Sequence, residues 1–116
     1  MEIHKGVTRI VFIFENIVIK IPNFTHSWYH FIKGLLCNMN EHKTWTSHSR
    51  KDLLCPVRWI FPGGWLIIMV KCDPVSCEDY HNMDFSDFIY AELHEDMTPY
   101  NFGKLNGNIV KIDYGD

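Results

Sequence analysis

The sixteen residues from Val7 to Pro22, VTRIVFIFENIVIKIP, constrain this chain more than any other part of it. Runs this rich in β-branched and aromatic residues favour extended backbone, and Glu15-Asn16 interrupt the run midway. The pattern predicts two strands joined by a tight turn. Alternation in the second strand puts Val18 and Lys20 on one face and Ile17, Ile19 and Ile21 on the other. A lysine inside so apolar a strand is the odd residue. Taken alone, it reads as an edge-strand charge that discourages aggregation.

The remaining segments follow from spacing. Asn23 or Thr25 can cap a helix carrying Trp28, Phe31, Ile32, Leu35, Leu36 and Met39 and running to about Trp45. Steps of three and four predict that these residues form its buried face. Glu41, one turn after Cys37, falls beside that face. Two further strands between Val57 and Val70 flank a Pro62-Gly63-Gly64 turn, and Lys71 to Glu78 reads as a loop. Asp84 caps a short helix with Phe85, Phe88, Ile89 and Leu93 on its apolar side. Asn106-Gly107 then separates the strands of a terminal hairpin. The expected fold is α+β, one domain over residues 1–116 in the order ββ-α-ββ-α-ββ, with a small antiparallel sheet and one long helix.

Charge and cysteine usage exclude several function classes. A net charge of −3 with scattered basic residues argues against nucleic-acid binding, which calls for a concentrated basic face. The four cysteines, Cys37, Cys55, Cys72 and Cys77, contain no C-x-x-C pair, so reduced thiols are expected rather than a zinc site or a disulfide framework. MEIHKGVTR has no long apolar run of a secretory signal, and no stretch reaches the ~18 apolar residues of a membrane span. The expectation is a cytoplasmic protein without membrane contact.

The chemistry concentrates in HEDMTPYNFGKLNGNIVKIDYGD, from His94 to Asp116. His94-x-Asp96 is followed by Asn101 five residues after the aspartate, and Asp113-Tyr114-Gly115 follows a predicted strand. This arrangement resembles the protein-kinase signature H-R-D-L-x-x-x-N followed by D-F-G. Upstream, Ile17-Val18-Ile19-Lys20 resembles the V-A-I-K strand, and Glu41 lies on the next helix, where kinases place the lysine's partner. The resemblance spans nearly the whole chain in the right order. It is to the protein-kinase-like superfamily, in a reduced form similar to small kinase-like proteins of bacteriophages.

That resemblance implies an N-lobe-type sheet and helix with a reduced catalytic-loop region, and it implies ATP and Mg²⁺ as cofactors. Lys20 would contact the nucleotide's phosphates, with Glu41 fixing its direction. Asp113 would hold one Mg²⁺ and Asn101 a second, both through hard oxygen ligands. Asp96 would accept or orient the proton of an incoming hydroxyl, while His94 would pack the catalytic loop. Met69, Val70 and Lys71 would form a hinge against adenine, roofed by Val18. The sequence departs from the pattern in lacking G-x-G-x-x-G, with only Gly6 before the first predicted strand. Glu95 and Thr98 replace the arginine and lysine common in the catalytic loop.

Two functions follow from the resemblance. One is a kinase-like protein that binds ATP and Mg²⁺ and passes a phosphoryl group to a protein hydroxyl or to itself. The alternative is a catalytically inert pseudokinase-type module that binds and regulates a host protein in the host cytoplasm. The sequence stops at Asp116, so the substrate platform of full kinases is expected to come from a partner. Tyr80, Phe85, Phe88, Tyr90 and Phe102 are expected to have fewer partners to bury them; helical spacing can hide Phe85 and Phe88, and the aromatic area left exposed is expected to mark a homodimer or protein interface on the C-terminal half.

Overall fold

A computed structural model describes residues 1–93 and 97–115. The architecture is α+β. Strands β1 (Glu2–Lys5), β2 (Arg9–Ile13), β3 (Ile17–Pro22), β4 (Val57–Phe61) and β5 (Leu66–Val70) form an antiparallel sheet in the order β1-β2-β3-β5-β4. The long helix α1 (Trp28–Ser47) packs across one face of it. Beyond β5 come β6 (Asp73–Pro74), the short helices α2 (Cys77–His81) and α3 (Ser86–Tyr90), and the hairpin β7 (Phe102–Leu105) and β8 (Asn108–Lys111). Strands β6, β7 and β8 make a second, three-stranded sheet.

Several expectations change. Glu2–Lys5 adds a strand ahead of the predicted pair, in register with β2 from Glu2 opposite Ile13 to Lys5 opposite Ile10. Lys20 is not an edge lysine: β3 lies between β2 and β5, where Lys20 stands opposite Val11 and Ile67 and is buried. The stretch from Lys71 to Glu78, read as a loop, holds β6 and the start of α2, while one short helix, α3, follows Asp84, whose carboxylate accepts the Ser86 N–H at 2.9 Å.

Helix α1 starts at neither expected cap. Ser27 is the N-cap and accepts from the His30 amide. Asn23 serves the sheet instead, donating to the Gly6 carbonyl at 2.6 Å and accepting from Thr25. The helix also turns a different face inward. Its buried residues are Gly34, Cys37, Asn38 and Glu41, while Trp28, Ile32, Leu36 and Met39 of the predicted apolar face are exposed. Gly34 explains how the helix comes so close to the sheet. A Cβ there would be driven into the Thr8 carbonyl and would lie 2.9 Å from the Cα of Pro22.

The main core lies toward the C-terminal half, where Phe102, Leu54, Ile67 and Met69 are fully buried. Phe102 is ringed by Tyr80, Phe85 and Phe88 at centroid distances of 5.0–6.1 Å. The five aromatics expected to be short of burial partners divide: Phe88 and Phe102 are buried, Tyr80 and Phe85 are half-buried, and Tyr90 alone is exposed. They reach burial by packing on one another, with the β7–β8 hairpin supplying Phe102 as their centre.

Candidate functional site

The inward face of α1 meets the sheet over charge. Alternation puts Arg9 and Val11 of β2, Val18 and Lys20 of β3, and Ile67 and Met69 of β5 on the helix side of the sheet. Glu41, with no exposure, receives the Lys20 ammonium on both carboxylate oxygens at 3.1 Å. Arg9 Nη1 donates to the same carboxylate and to Asn38 Oδ1, the latter at 3.2 Å. Arg9 Nη2 donates to Asp113 Oδ1 at 2.7 Å. The third Lys20 bond runs to the Ile112 carbonyl at 3.0 Å. Two cations and two carboxylates, drawn from β2, β3, α1 and the segment after β8, thus close into one network.

The surroundings fix it in place. Asn38 donates to the Lys20 carbonyl at 3.1 Å and to the Gly64 carbonyl at 2.8 Å, tying α1 to β3 and to the turn before β5. Tyr114 donates its hydroxyl to the Cys55 carbonyl at 2.7 Å, and burial pushes that phenol's pKa up. Gly115 admits close contact with α1, because a Cβ there would be driven into the Cys37 carbonyl and would stand 2.7 Å from Glu41 Cγ. Burial acts to raise the Asp113 pKa, but the Lys20 and Arg9 charges outweigh it and hold the carboxyl below the ordinary range. Burial likewise works against the charged form of Arg9, and Glu41 and Asp113 overcome it, so the guanidinium is held in its charged form.

Of the residues expected from the sequence, Lys20, Glu41 and Asp113 converge. Asn101 is joined to the strand that leads to Asp113, its carbonyl accepting the Ile112 amide at 2.8 Å. Val18 and Met69 stand opposite each other in the β3–β5 register on the Lys20 face; Met69 is buried in the core and Val18 is half-buried. The Val70 amide donates to the Pro56 carbonyl at 3.0 Å and the Lys71 amide to the Asn16 carbonyl at 3.1 Å. The Val70 carbonyl accepts from the Cys55 thiol at 3.0 Å. Asp96, with His94 and Glu95, lies outside the described residues.

Sequence reasoning missed Arg9 and Asn38. Arg9 could have been found from the alternation that isolated Lys20: it precedes Val11 by two residues, on the same face of the neighbouring strand. Asn38 stands three residues before Glu41, a polar pair on one side of a helix.

The thiols separate from this site. None of the four cysteines forms a disulfide. Cys72 Sγ lies 3.4 Å from Cys55 Sγ, a hydrogen bond that pushes the Cys55 thiol up and lowers Cys72.

Arg9 holds one oxygen of the Asp113 carboxylate, Oδ1, so a divalent cation at Asp113 would share that carboxylate with a guanidinium. Among the described residues, no helix is long and apolar enough to cross a membrane. Comparison of the chain with models of protein families, with curated proteins and with solved structures finds no match.

Proposed function

We propose that this chain is a reduced kinase-like module that acts through protein association, its phosphate-handling constellation turned into a structural ion network. Support for the kinase-like part is the convergence of Lys20, Glu41 and Asp113, which lie far apart in sequence, beneath an antiparallel sheet flanked by one long helix. Support for the non-catalytic part is the residue Arg9. Phosphoryl transfer uses a lysine–glutamate pair and a carboxylate available to a metal. Here the Lys20–Glu41 pair is present, but Arg9 shares Glu41 and takes one oxygen of Asp113. The amides of Val70 and Lys71 that would meet an adenine already donate to Pro56 and Asn16.

One observation favours nucleotide binding as a second reading. The Asp113 side chain is 37% exposed, and Val11, Ile13 and Val18 form a half-buried apolar shelf outside the main core. In that reading Arg9 leaves Asp113 when a nucleotide arrives. Thermal unfolding with and without millimolar Mg²⁺ and ATP decides between the two, since a ligand that binds the native state raises its melting temperature. The proposal expects no rise in the wild type. A concentration-dependent rise of several degrees in the wild type overturns it, and a rise only in Arg9→Ala marks Arg9 as the block.

A further inference from the structure

We propose that Cys55 and Cys72 form a peroxide-responsive dithiol, which closes reversibly into a disulfide and locks the joint between the two sheets. Cys72 Sγ lies 3.4 Å from Cys55 Sγ. A disulfide needs about 2.0 Å, so each sulfur has to move less than about 1 Å. The backbone sets this placement. Val57 faces Met69 across β4 and β5, and the Val70 amide donates to the Pro56 carbonyl at 3.0 Å. Continuing along the same ladder, the two cysteines meet where β5 has ended and β4 has yet to begin.

The two sulfurs differ in access and in acidity. Cys55 is buried, whereas Cys72 is only half-buried and open to a small oxidant. The hydrogen bond with Cys55 holds the Cys72 thiol below its ordinary range, against burial and the charge of Asp73. The same bond and burial push Cys55 up. A thiolate is the attacking species, so Cys72 reacts first and Cys55 resolves it. The Cys72 thiolate attacks one oxygen of hydrogen peroxide, the O–O bond breaks, and a sulfenic acid and hydroxide result. Cys55 then gives up its proton, its sulfur displaces hydroxide from the Cys72 sulfur, and the S–S bond forms. In sum two thiols lose two electrons and two protons, and one peroxide becomes two waters. A dithiol reductant reverses the bridge by exchange.

Both residues sit at the joint. Cys72 lies in the chain between β5 of the first sheet and β6 of the second. It packs on β7, since a Cβ at Gly103 would stand 2.7 Å from the Cys72 Cβ. Cys55 touches the second sheet from the other side: its amide donates to the Lys111 carbonyl of β8 at 2.9 Å. Its carbonyl accepts the Tyr114 hydroxyl, next to Asp113 of the ion network. A bridge across 17 positions of sequence restricts the unfolded chain. It also adds a covalent tie at a place where these elements are otherwise joined by hydrogen bonds and packing.

The test treats the full reduced chain with hydrogen peroxide, alkylates the remaining thiols and maps the peptides by mass spectrometry. Cys55–Cys72 is expected as the main disulfide, within one chain, lighter by two hydrogen atoms and reversed by dithiothreitol. The bridged form is expected to melt several degrees higher than the reduced one. Cys55→Ser should form no such bridge and should leave a sulfenic acid on Cys72 that dimedone captures. Cys77→Ser, at the exposed start of α2, is the control and should bridge as the wild type does. The wild-type map needs no variant, so it decides even if Cys55→Ser does not fold. Cys55 and Cys72 both still alkylated once the exposed Cys77 is oxidised overturns the proposal. So does a main bridge through Cys37 or Cys77, or a bridged form that melts no higher than the reduced one. Thiol mapping requires no nucleotide, so failure of this inference and failure of the proposed function are separately visible.

Discussion

Replacing Glu41 by glutamine tests the ion network most directly. The substitution keeps the volume of a fully buried side chain and removes only its charge and one acceptor oxygen. Lys20 and Arg9 then share a single carboxylate, Asp113, which is more than a third exposed and therefore a screened partner. Removing one member of a buried pair typically costs about 3–5 kcal/mol, because the remaining charge stays desolvated. With two cations stranded, the upper half of that range is expected. For a domain whose total stability is about 5–15 kcal/mol, the melting temperature should drop by roughly 12–20 °C. Urea unfolding followed by far-UV circular dichroism measures the loss, with an unchanged m-value confirming that the unfolding transition is the same. Adding Arg9→Met to Glu41→Gln removes the surplus cation, so the double variant should recover at least about 1 kcal/mol relative to additivity. A loss below about 1 kcal/mol for Glu41→Gln, when buried pairs cost several, refutes the network's role. Strict additivity in the double variant refutes the coupling.

Two further outcomes follow from the same face of the helix. The Asp113 carboxyl is depressed in the folded protein by Lys20 and Arg9 against the opposing effect of burial, so its contribution is complete above the ordinary pKa of about 4 and fades as the pH falls through the folded value. Melting temperature against pH should therefore lose part of its acid limb in Asp113→Asn, by a modest amount given the exposure, and superimposable acid limbs would count against the pairing. Gly34→Ala should destabilise by about 1–3 kcal/mol through overpacking, since the new Cβ meets the Thr8 carbonyl and the Pro22 backbone; denaturant melts check this, and a neutral or stabilised variant would show that α1 can lift without cost.

What the sequence disclosed and what it hid divide along physical lines. The strand pair around Glu15-Asn16, the second pair around Pro62-Gly63-Gly64 and the Asn106-Gly107 hairpin are local, governed by turn chemistry and β-propensity, and each stands where expected. The pairing of β3 with β5 is long-range, and no local signal encodes it. Lys20, Glu41 and Asp113 are singled out by motif spacing and not by local physics, since Lys20 taken alone reads as an edge-strand charge and Asp113 stands out only as part of Asp113-Tyr114-Gly115. Burial of α1 was misread because periodicity shows which residues share a face but not which face turns inward. The winning face is the one that satisfies the buried Lys20 and Arg9, and only Glu41 and Asn38 can do that. Asp96 lies outside the described residues.

That choice of face has consequences on both sides of the layer. A helix that presents Gly34, Cys37, Asn38 and Glu41 to a sheet contributes little apolar burial to the contact, so the seam rests on hydrogen bonds and ion pairs whose desolvation offsets much of their attraction. The hydrophobic drive for this half of the chain must then be met elsewhere. The main core under Met69 and Phe102 meets it for β5 and the C-terminal half, whereas Ile3, Phe12 and Ile19 on the outer face of β1, β2 and β3 stand outside that core, with Ile10 of β2 the buried exception. The register sets Ile3 opposite Phe12, Phe12 opposite Ile19, Ile19 opposite Ile68 and Ile68 opposite Trp59, an apolar row across that face. A buried charge network on one face of the sheet and an apolar row outside the main core on the other are thus two results of one packing decision, made where Lys20 enters the strand.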